Sequence, residues 1–162
     1  MINIQQQKGA TIVEFVLIAV LFFALFFTVI EFGRALFVWN ALTEATRRGA
    51  RMAIVCPVDS PIPKQVALFN GIAGSGNSSI IRGLTSSNVS VTYYNVDGGV
   101  PATQMDIKFV KVAITGYTLQ LLIPLWGRTL TAPDFTTTLY SESLGTVPAY
   151  PPATSTSQDC AF

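Results

Sequence analysis

The chain has 162 residues, a net charge of +1, no histidine, and only 12% charged side chains against 50% hydrophobic ones. There is no basic surplus to make an electrostatic footprint for nucleic acid. Without histidine the usual imidazole base and the commonest transition-metal ligand are both missing, and two distant cysteines do not make a zinc site.

A short polar leader, Met1 to Gly9, precedes an apolar stretch from Ala10 to Ile30. Apart from Thr28, Phe15 to Ile30 is wholly apolar. With Ala10 to Val13 it reaches the roughly 20 residues that cross a ~30 Å hydrocarbon layer as a helix. A buried helix of a soluble core is usually amphipathic, whereas this segment is apolar all round with five phenylalanines, so membrane insertion is the reading. A cleaved secretory signal is the rival, with Lys8 in the leader and Gly33-Arg34-Ala35 as a small-x-small site. Against it, the run exceeds the ~7 to 15 residues of a signal core, and Glu31 and Arg34 crowd the supposed site. Glu14 lies inside the span, where an ionisable group costs on the order of 2 to 4 kcal/mol unless it finds an interface or a partner. Two fates are open to it: pairing with a cation at similar depth, or reaching back to the headgroups from a point only about 6 Å along the helix from Ala10.

From Ala35 the period becomes amphipathic. Ala35, Val38, Trp39, Leu42, Ala45, Gly49, Met52 and Ala53 recur at three- and four-residue spacing, with Asn40, Glu44, Arg47, Arg48 and Arg51 opposite. Glu44 precedes Arg47 and Arg48 by three and four residues, the favourable order for helical ion pairs. Read through to Ile54, before the Cys56-Pro57 break, the helix holds about 45 residues and spans roughly 65 Å, twice a bilayer core. It is a stalk, half in lipid and half in water. A count of basic flanks runs against an outward stalk, because Arg34, Arg47, Arg48 and Arg51 follow the span and Lys8 alone precedes it.

The stretches Gly9-Ala10-Thr11-Ile12-Val13-Glu14-Phe15, Glu31-Phe32-Gly33-Arg34-Ala35-Leu36 and Ala45-Thr46-Arg47-Arg48-Gly49-Ala50-Arg51 resemble the N-terminal signature of TadE-like proteins. These are minor pilin-like proteins, or pseudopilins, of the tight-adherence pilus, a branch of the type IV pilus superfamily. The resemblance covers roughly residues 8 to 54. It implies insertion with the leader on the cytoplasmic side of the bacterial inner membrane, a single pass, and an extracytoplasmic C-terminal domain. It further implies cutting by a prepilin peptidase after Gly9, leaving Ala10 as the new N-terminus. Glu14 becomes the fifth mature residue, which in pilins pairs with the N-terminal ammonium of a neighbouring subunit. Alanine stands at the first mature position, where many type IV pilins have phenylalanine and an N-methyl group. The partners implied are the major pilin and other minor pilins, the prepilin peptidase, an inner-membrane platform with its assembly ATPase, and membrane lipid; no nucleic acid and no cofactor are expected.

Beyond the stalk, Ser60-Pro61 offers an N-cap and first-turn proline for a short helix through Val66, Leu68 and Phe69, closed by Gly71. Gly71 to Ser79 reads as a loop, and it lacks the Gly-Lys-Ser/Thr ending of a phosphate loop. Val89, Val91 and Tyr93 alternate with Ser90, Thr92 and Tyr94 in a strand, Asp97-Gly98-Gly99 makes a turn, and Ile107 to Thr115 forms a second strand. Leu119 to Trp126 is an apolar connection broken by Pro124, and Phe135, Thr137, Leu139 and Ser141 alternate in a third strand. The expected class is α+β: a long N-terminal transmembrane and stalk helix followed by a small antiparallel sheet packed on its C-terminal part, as in type IV pilins. Asn77-Ser78-Ser79 and Asn88-Val89-Ser90 match a glycosylation acceptor pattern that often occurs by chance.

Beyond Gly145 the sequence turns to proline, serine and threonine and reads as an extended tail. Cys56 and Cys160 are the only cysteines. Lying on the same side of the membrane in an oxidising compartment, they invite a disulfide. The segments are thus a leader (1–9), a transmembrane helix (10–33), an amphipathic stalk (34–56), an α+β domain (57–145) and a tail (146–162). No catalytic or metal-binding constellation is evident, and the expected function is a noncatalytic pilin-like subunit. A permanently anchored extracytoplasmic binding or adhesion protein that never enters a filament is the alternative.

Overall fold

In the computed structural model one helix, α1, runs unbroken over 50 residues from Ile4 to Ala53. The described residues are 4–71, 74, 76–101, 103–121 and 129–144. The lipid-like and water-like halves read from the sequence are two halves of this one helix, which also continues through Gly9 into the leader. It stops just before Cys56-Pro57, because proline disfavours helical geometry in the residue before it and has no N–H to donate. The last turn tightens, with Val55 N–H donating to Met52 O three residues back at 3.3 Å, beside Cys56 N–H on the same carbonyl at 2.9 Å.

The other described elements are built against the C-terminal part of α1. A short helix, α2 (Ile62–Ala67), is followed by strands β1 (Val89–Tyr94), β2 (Phe109–Ile114), β3 (Thr118–Gln120), β4 (Thr129–Thr131) and β5 (Phe135–Tyr140). β1, β2 and β5 form an antiparallel sheet with β2 in the middle, in register from Val89↔Ile114 to Tyr94↔Phe109 and from Phe109↔Tyr140 to Ile114↔Phe135. β3 and β4 make a separate two-stranded hairpin. β5 climbs the stalk: the Phe135 ring meets Trp39 with centroids 5.0 Å apart, Thr137 Oγ1 lies 2.9 Å from Thr46 Oγ1, and Glu142 and Leu144 each donate an amide to Ile54 O at 3.2 Å. The β1–β2 turn, where Asn95 N–H donates to Gly99 O at 3.0 Å, is therefore at the far end of the domain, and the β3–β4 hairpin is at the end nearer the apolar half of α1.

The inward stripe of the stalk is Val38, Leu42, Ala45, Thr46, Gly49, Ala50 and Ala53. Most of the expected stripe is there, but Trp39 remains largely exposed although its ring touches Phe135, while Thr46 and Ala50 are buried. The buried Thr46 hydroxyl is satisfied by Thr43 O at 2.8 Å as well as by Thr137. Small residues set how close the layers come. A Cβ placed on Gly49 would stand 2.9 Å from Ala67 Cβ, 3.2 Å from Pro63 O and 3.3 Å from Val112 Cγ1, so helix, α2 and sheet converge on the one position with no side chain. Leu68, Ile81, Leu84, Val110, Val112 and Ile114 complete the core.

Three local expectations need correction. Pro61 occupies the N-cap of α2 and Pro63 the first turn, and Ser60 contributes a weaker contact, its Oγ accepting from Ile62 N–H at 3.3 Å. The helix ends at Ala67 and the left-handed residue behind it is Phe69 (φ 59°), not Gly71. Phe69 adopts a conformation that disfavours its side chain, with the ring lying under the Arg48 guanidinium, 5.2 Å from the centroid. The expected apolar connection from Leu119 to Trp126 starts in strand, because Thr118, Leu119 and Gln120 find partners ten or so residues away in β4. The rest of that connection, including Pro124 and Trp126, lies outside the described residues.

Replacing Gly49 with alanine sets a helix-propensity gain of about 1 kcal/mol against overpacking of about 1 to 3 kcal/mol, since Ala67 Cβ and the Pro63 carbonyl cannot rotate away. Gly49→Ala is expected to lower the unfolding midpoint of the domain, and Gly49→Val to lower it further. Gly33→Ala, whose Cβ meets nothing within 4 Å, is expected to leave it unchanged or raise it. Near-ultraviolet circular dichroism of the full chain in detergent during a urea titration reads this; a Gly49→Ala midpoint at or above that of the parent refutes it.

Candidate functional site

The residues that the sequence singles out lie along α1 in two groups. Gly9, Ala10 and Glu14 are exposed on its N-terminal part. Helical rise puts Glu14 about 7 Å above Gly9, on the apolar segment where Phe15, Leu17, Leu21, Leu25 and Val29 are among the exposed large side chains. This surface has no protein cover. The stretch Gly9–Ala53 contains the one helix among the described residues that is long and apolar enough to cross a membrane, and none of its most apolar window is buried. The phenylalanines stack along it, Phe22 on Phe26 and Phe23 on Phe27 with centroids 6.2 Å apart, the separation that i,i+4 neighbours allow. Thr28 closes its hydroxyl onto Ala24 O at 2.7 Å, so the lone polar residue of Phe15 to Ile30 leaves no free donor on the apolar surface.

Immediately above Ile30 the environment inverts. Glu31 is 8% exposed although its neighbours Ile30 and Phe32 are open. Its carboxylate accepts from Arg34 Nε at 3.1 Å and from Arg34 Nη2, and Arg34 Nη2 also donates to the Gln120 carbonyl at the end of β3. A charged pair at the last turn of the apolar segment therefore fixes the hairpin of the domain to the helix. Nearby, Tyr117 donates its phenol to Arg82 O at 3.1 Å. Burial pushes the Tyr117 pKa above its ordinary value, and the Arg34 charge opposes that rise. From the sequence Arg34 is a flanking charge, part of a rival cleavage site and part of the Glu31-to-Leu36 motif, with no partner indicated. The i,i+3 spacing of Glu31 and Arg34 was a usable signal for the pair, whereas nothing in the sequence points to the carbonyl of Gln120.

Higher on the stalk, Glu44 reaches Arg48 at 3.5 Å, the expected i,i+4 pair, and Arg48 also covers Phe69. Arg47 and Arg51 stay on the exposed face. At the top, Cys56 is fully buried and disulfide-bonded. Cys160, the partner expected from the sequence, lies outside the described residues. Two open cavities flank the turn at Gln104–Asp106, one of about 470 Å³ bordered by Ile107, Tyr140 and Leu144, the other of about 460 Å³ bordered by Asp59, Tyr93 and Pro101. Tyr93 is raised in pKa by burial first and by the Asp59 charge second. Among the described residues no three His, Cys, Asp or Glu side chains gather where they could hold a metal ion.

The geometry is that of a helix long and apolar enough to cross a membrane once, carrying a small α+β domain on its C-terminal part. Residues 9–51 match the family model described as TadE-like protein, from the glycine at the base of the apolar segment to the last arginine of the stalk. No curated protein and no solved structure matches the chain. The N-terminal segment is thus similar to TadE-like proteins, and the matched region is the element on which the described fold is hung.

Cys56 and Cys160 are expected to appear as one cross-linked peptide within a single chain in a nonreducing peptide map. Closing a loop of about a hundred residues contributes ~4 to 5 kcal/mol in the chain-entropy description, so reduction is expected to lower the unfolding midpoint. Alkylation of both cysteines without prior reduction, or a disulfide-linked dimer, rules the pairing out.

Proposed function

We infer that the protein is a minor pilin-like subunit, a pseudopilin, that takes part in assembly of a tight-adherence pilus, with a structural and not a catalytic role. The observation that carries this reading is the coincidence of the TadE-like match with a helix whose lower half is apolar and uncovered while its upper half bears a folded domain. Such a helix can insert in lipid alone, and it can exchange lipid for neighbouring helices without disturbing the domain. In this reading the leader stays cytoplasmic, the domain faces outward, and a prepilin peptidase cuts after Gly9. The bond lies within a helix, and glycine makes local unwinding there easier by about 1 kcal/mol relative to alanine.

Cutting would leave an ammonium on Ala10, one turn below the Glu14 carboxylate. In a layer of low dielectric each charge needs a counter-charge. In this reading the ammonium of an adjacent subunit, displaced by about one helical turn, would meet Glu14. The pair would favour one axial register over its neighbours, which is what a subunit joining a helical bundle requires. Recognition would involve the major pilin, other minor pilins, the inner-membrane platform and its ATPase. The anchored-adhesin alternative uses the same span but needs neither cutting nor the Glu14 pair, so these two residues separate the readings.

Mass spectrometry of the protein coexpressed with its peptidase is expected to find Ala10 as the N-terminus, and Gly9→Leu to leave the full-length form in the membrane. An intact Met1 in the parent, or efficient cutting elsewhere in the variant, removes this part of the proposal.

Glu14→Gln keeps size and helix but removes the charge, leaving the ammonium of a neighbour without its partner at a cost of a few kcal/mol, of the order of 3 to 5. Insertion and folding of the domain are expected to survive, while crosslinking to pilin partners and piliation fall strongly at matched membrane levels. Unchanged crosslinking and piliation would favour the anchored protein.

A further inference from the structure

We propose that the β3–β4 hairpin is a second, lipid-facing contact of this protein, held by Arg34 against the headgroup layer of the membrane that α1 spans. The proposal rests on the membrane reading of α1 and is independent of any role in a filament.

The domain descends along α1 toward the apolar segment. Phe135, paired with Ile114, lies at the level of Trp39. Six residues beyond Ile114, the Gln120 carbonyl lies at Arg34, about 7 Å lower along the helix by its rise. Glu31 is one turn below that and still shielded, so the cover extends to the last turn of the apolar run. The open apolar side chains at this level are Phe32, Leu36 and Phe37 on α1 and Leu130 on β4, which is 57% exposed directly opposite the buried Leu119, while the other open strand residues of the hairpin, Thr118, Gln120, Thr129 and Thr131, are polar but uncharged, as an interfacial layer accepts. In water this would be an uncovered apolar collar around an ion pair. Continuity with the span supplies the occupant. A bilayer whose hydrocarbon begins at Ile30 presents its interfacial layer at the height of Arg34 and the hairpin, where apolar side chains partition and guanidinium groups find phosphates or carbonyls. Arg34 is committed to Glu31 and Gln120, so its place here is to set the height of the hairpin and not to capture a lipid itself. The collar would limit tilting of the domain about its stalk, because any tilt either lifts Leu130 out of the interface or breaks the Arg34 bond.

The test is depth measurement by spin-label accessibility on the full chain in liposomes of mixed phosphatidylethanolamine and phosphatidylglycerol. A nitroxide is placed through Leu130→Cys, with Val20→Cys in the span and Val96→Cys at the far pole (70% exposed) as references; the oxidised parent is the labelling blank. The ratio of oxygen to nickel-chelate relaxation at position 130 is expected to lie several-fold above that at 96 and below that at 20. In an Arg34→Ala background it is expected to fall toward the value at 96 while that at 20 stays put. A position 130 as open to the nickel chelate as position 96, with position 20 buried in lipid, overturns the hairpin contact and leaves the membrane span standing. No change with Arg34→Ala overturns the part assigned to Arg34. A nickel-accessible position 20 removes the span and the proposal with it.

Discussion

A single helix of 50 residues has to satisfy two solvents, and the rest of the structure depends on where it changes from one to the other. From Phe15 to Ile30 every exposed side chain except Thr28 is apolar, and a lipid layer is the environment in which that surface costs nothing. Above it the helix is too polar on one side for lipid and too apolar on the other for water. The domain resolves that mismatch by burying Val38, Leu42, Ala45, Gly49, Ala50 and Ala53 and leaving Arg47 and Arg51 outside. Because the helix is unbroken, position and rotation of the domain are tied to the span, and nothing analogous to a flexible linker separates them within 4–53.

The joint between stalk and domain works by proximity. Gly49 lets the helix approach Ala67 Cβ and the Pro63 carbonyl of α2 and the Val112 side chain of β2, and dispersion summed over a dense core then holds the layers. Polar groups caught in this joint are few and partnered: Thr46 bonds to Thr137 and Thr43. Glu31 and Arg34 close the lower end, while the amides of Glu142 and Leu144 on the Ile54 carbonyl close the upper one. Between these ends the main sheet is aligned with the stalk, so an axial force on the helix is shared by the joint over much of its length.

The groups with displaced pKa, Tyr93 and Tyr117, owe it chiefly to burial of a phenol, and both stay neutral at physiological pH with hydrogen-bonding or packing roles. The charges that matter are positional: Glu14 within the apolar segment, Glu31 with Arg34 at its edge, and Glu44 with Arg48 on the stalk. Each lies on one helix at a different depth, and depth decides the dielectric and hence the strength of the pair.

The sequence by itself determined the helix, its two halves, the three long strands, the turn at Asp97-Gly98-Gly99 and the α+β class, because each depends on local periodicity, an apolar run or glycine and proline placement. It also singled out Gly9, Ala10, Glu14, Cys56 and Cys160 by composition and resemblance. Only the tertiary structure decided the pairing order with β2 central, the β3–β4 hairpin, the left-handed Phe69 in place of Gly71, and the burial of Thr46. Strand order and hairpin pairing join residues distant in sequence, and three-residue strands carry too little pattern to be read. Phe69 keeps its conformation beneath Arg48, a neighbour 21 positions earlier. The bond from Arg34 to the Gln120 carbonyl was invisible for the same reason: a backbone acceptor is identical in every residue, and only the fold brings one of them to the edge of the membrane helix.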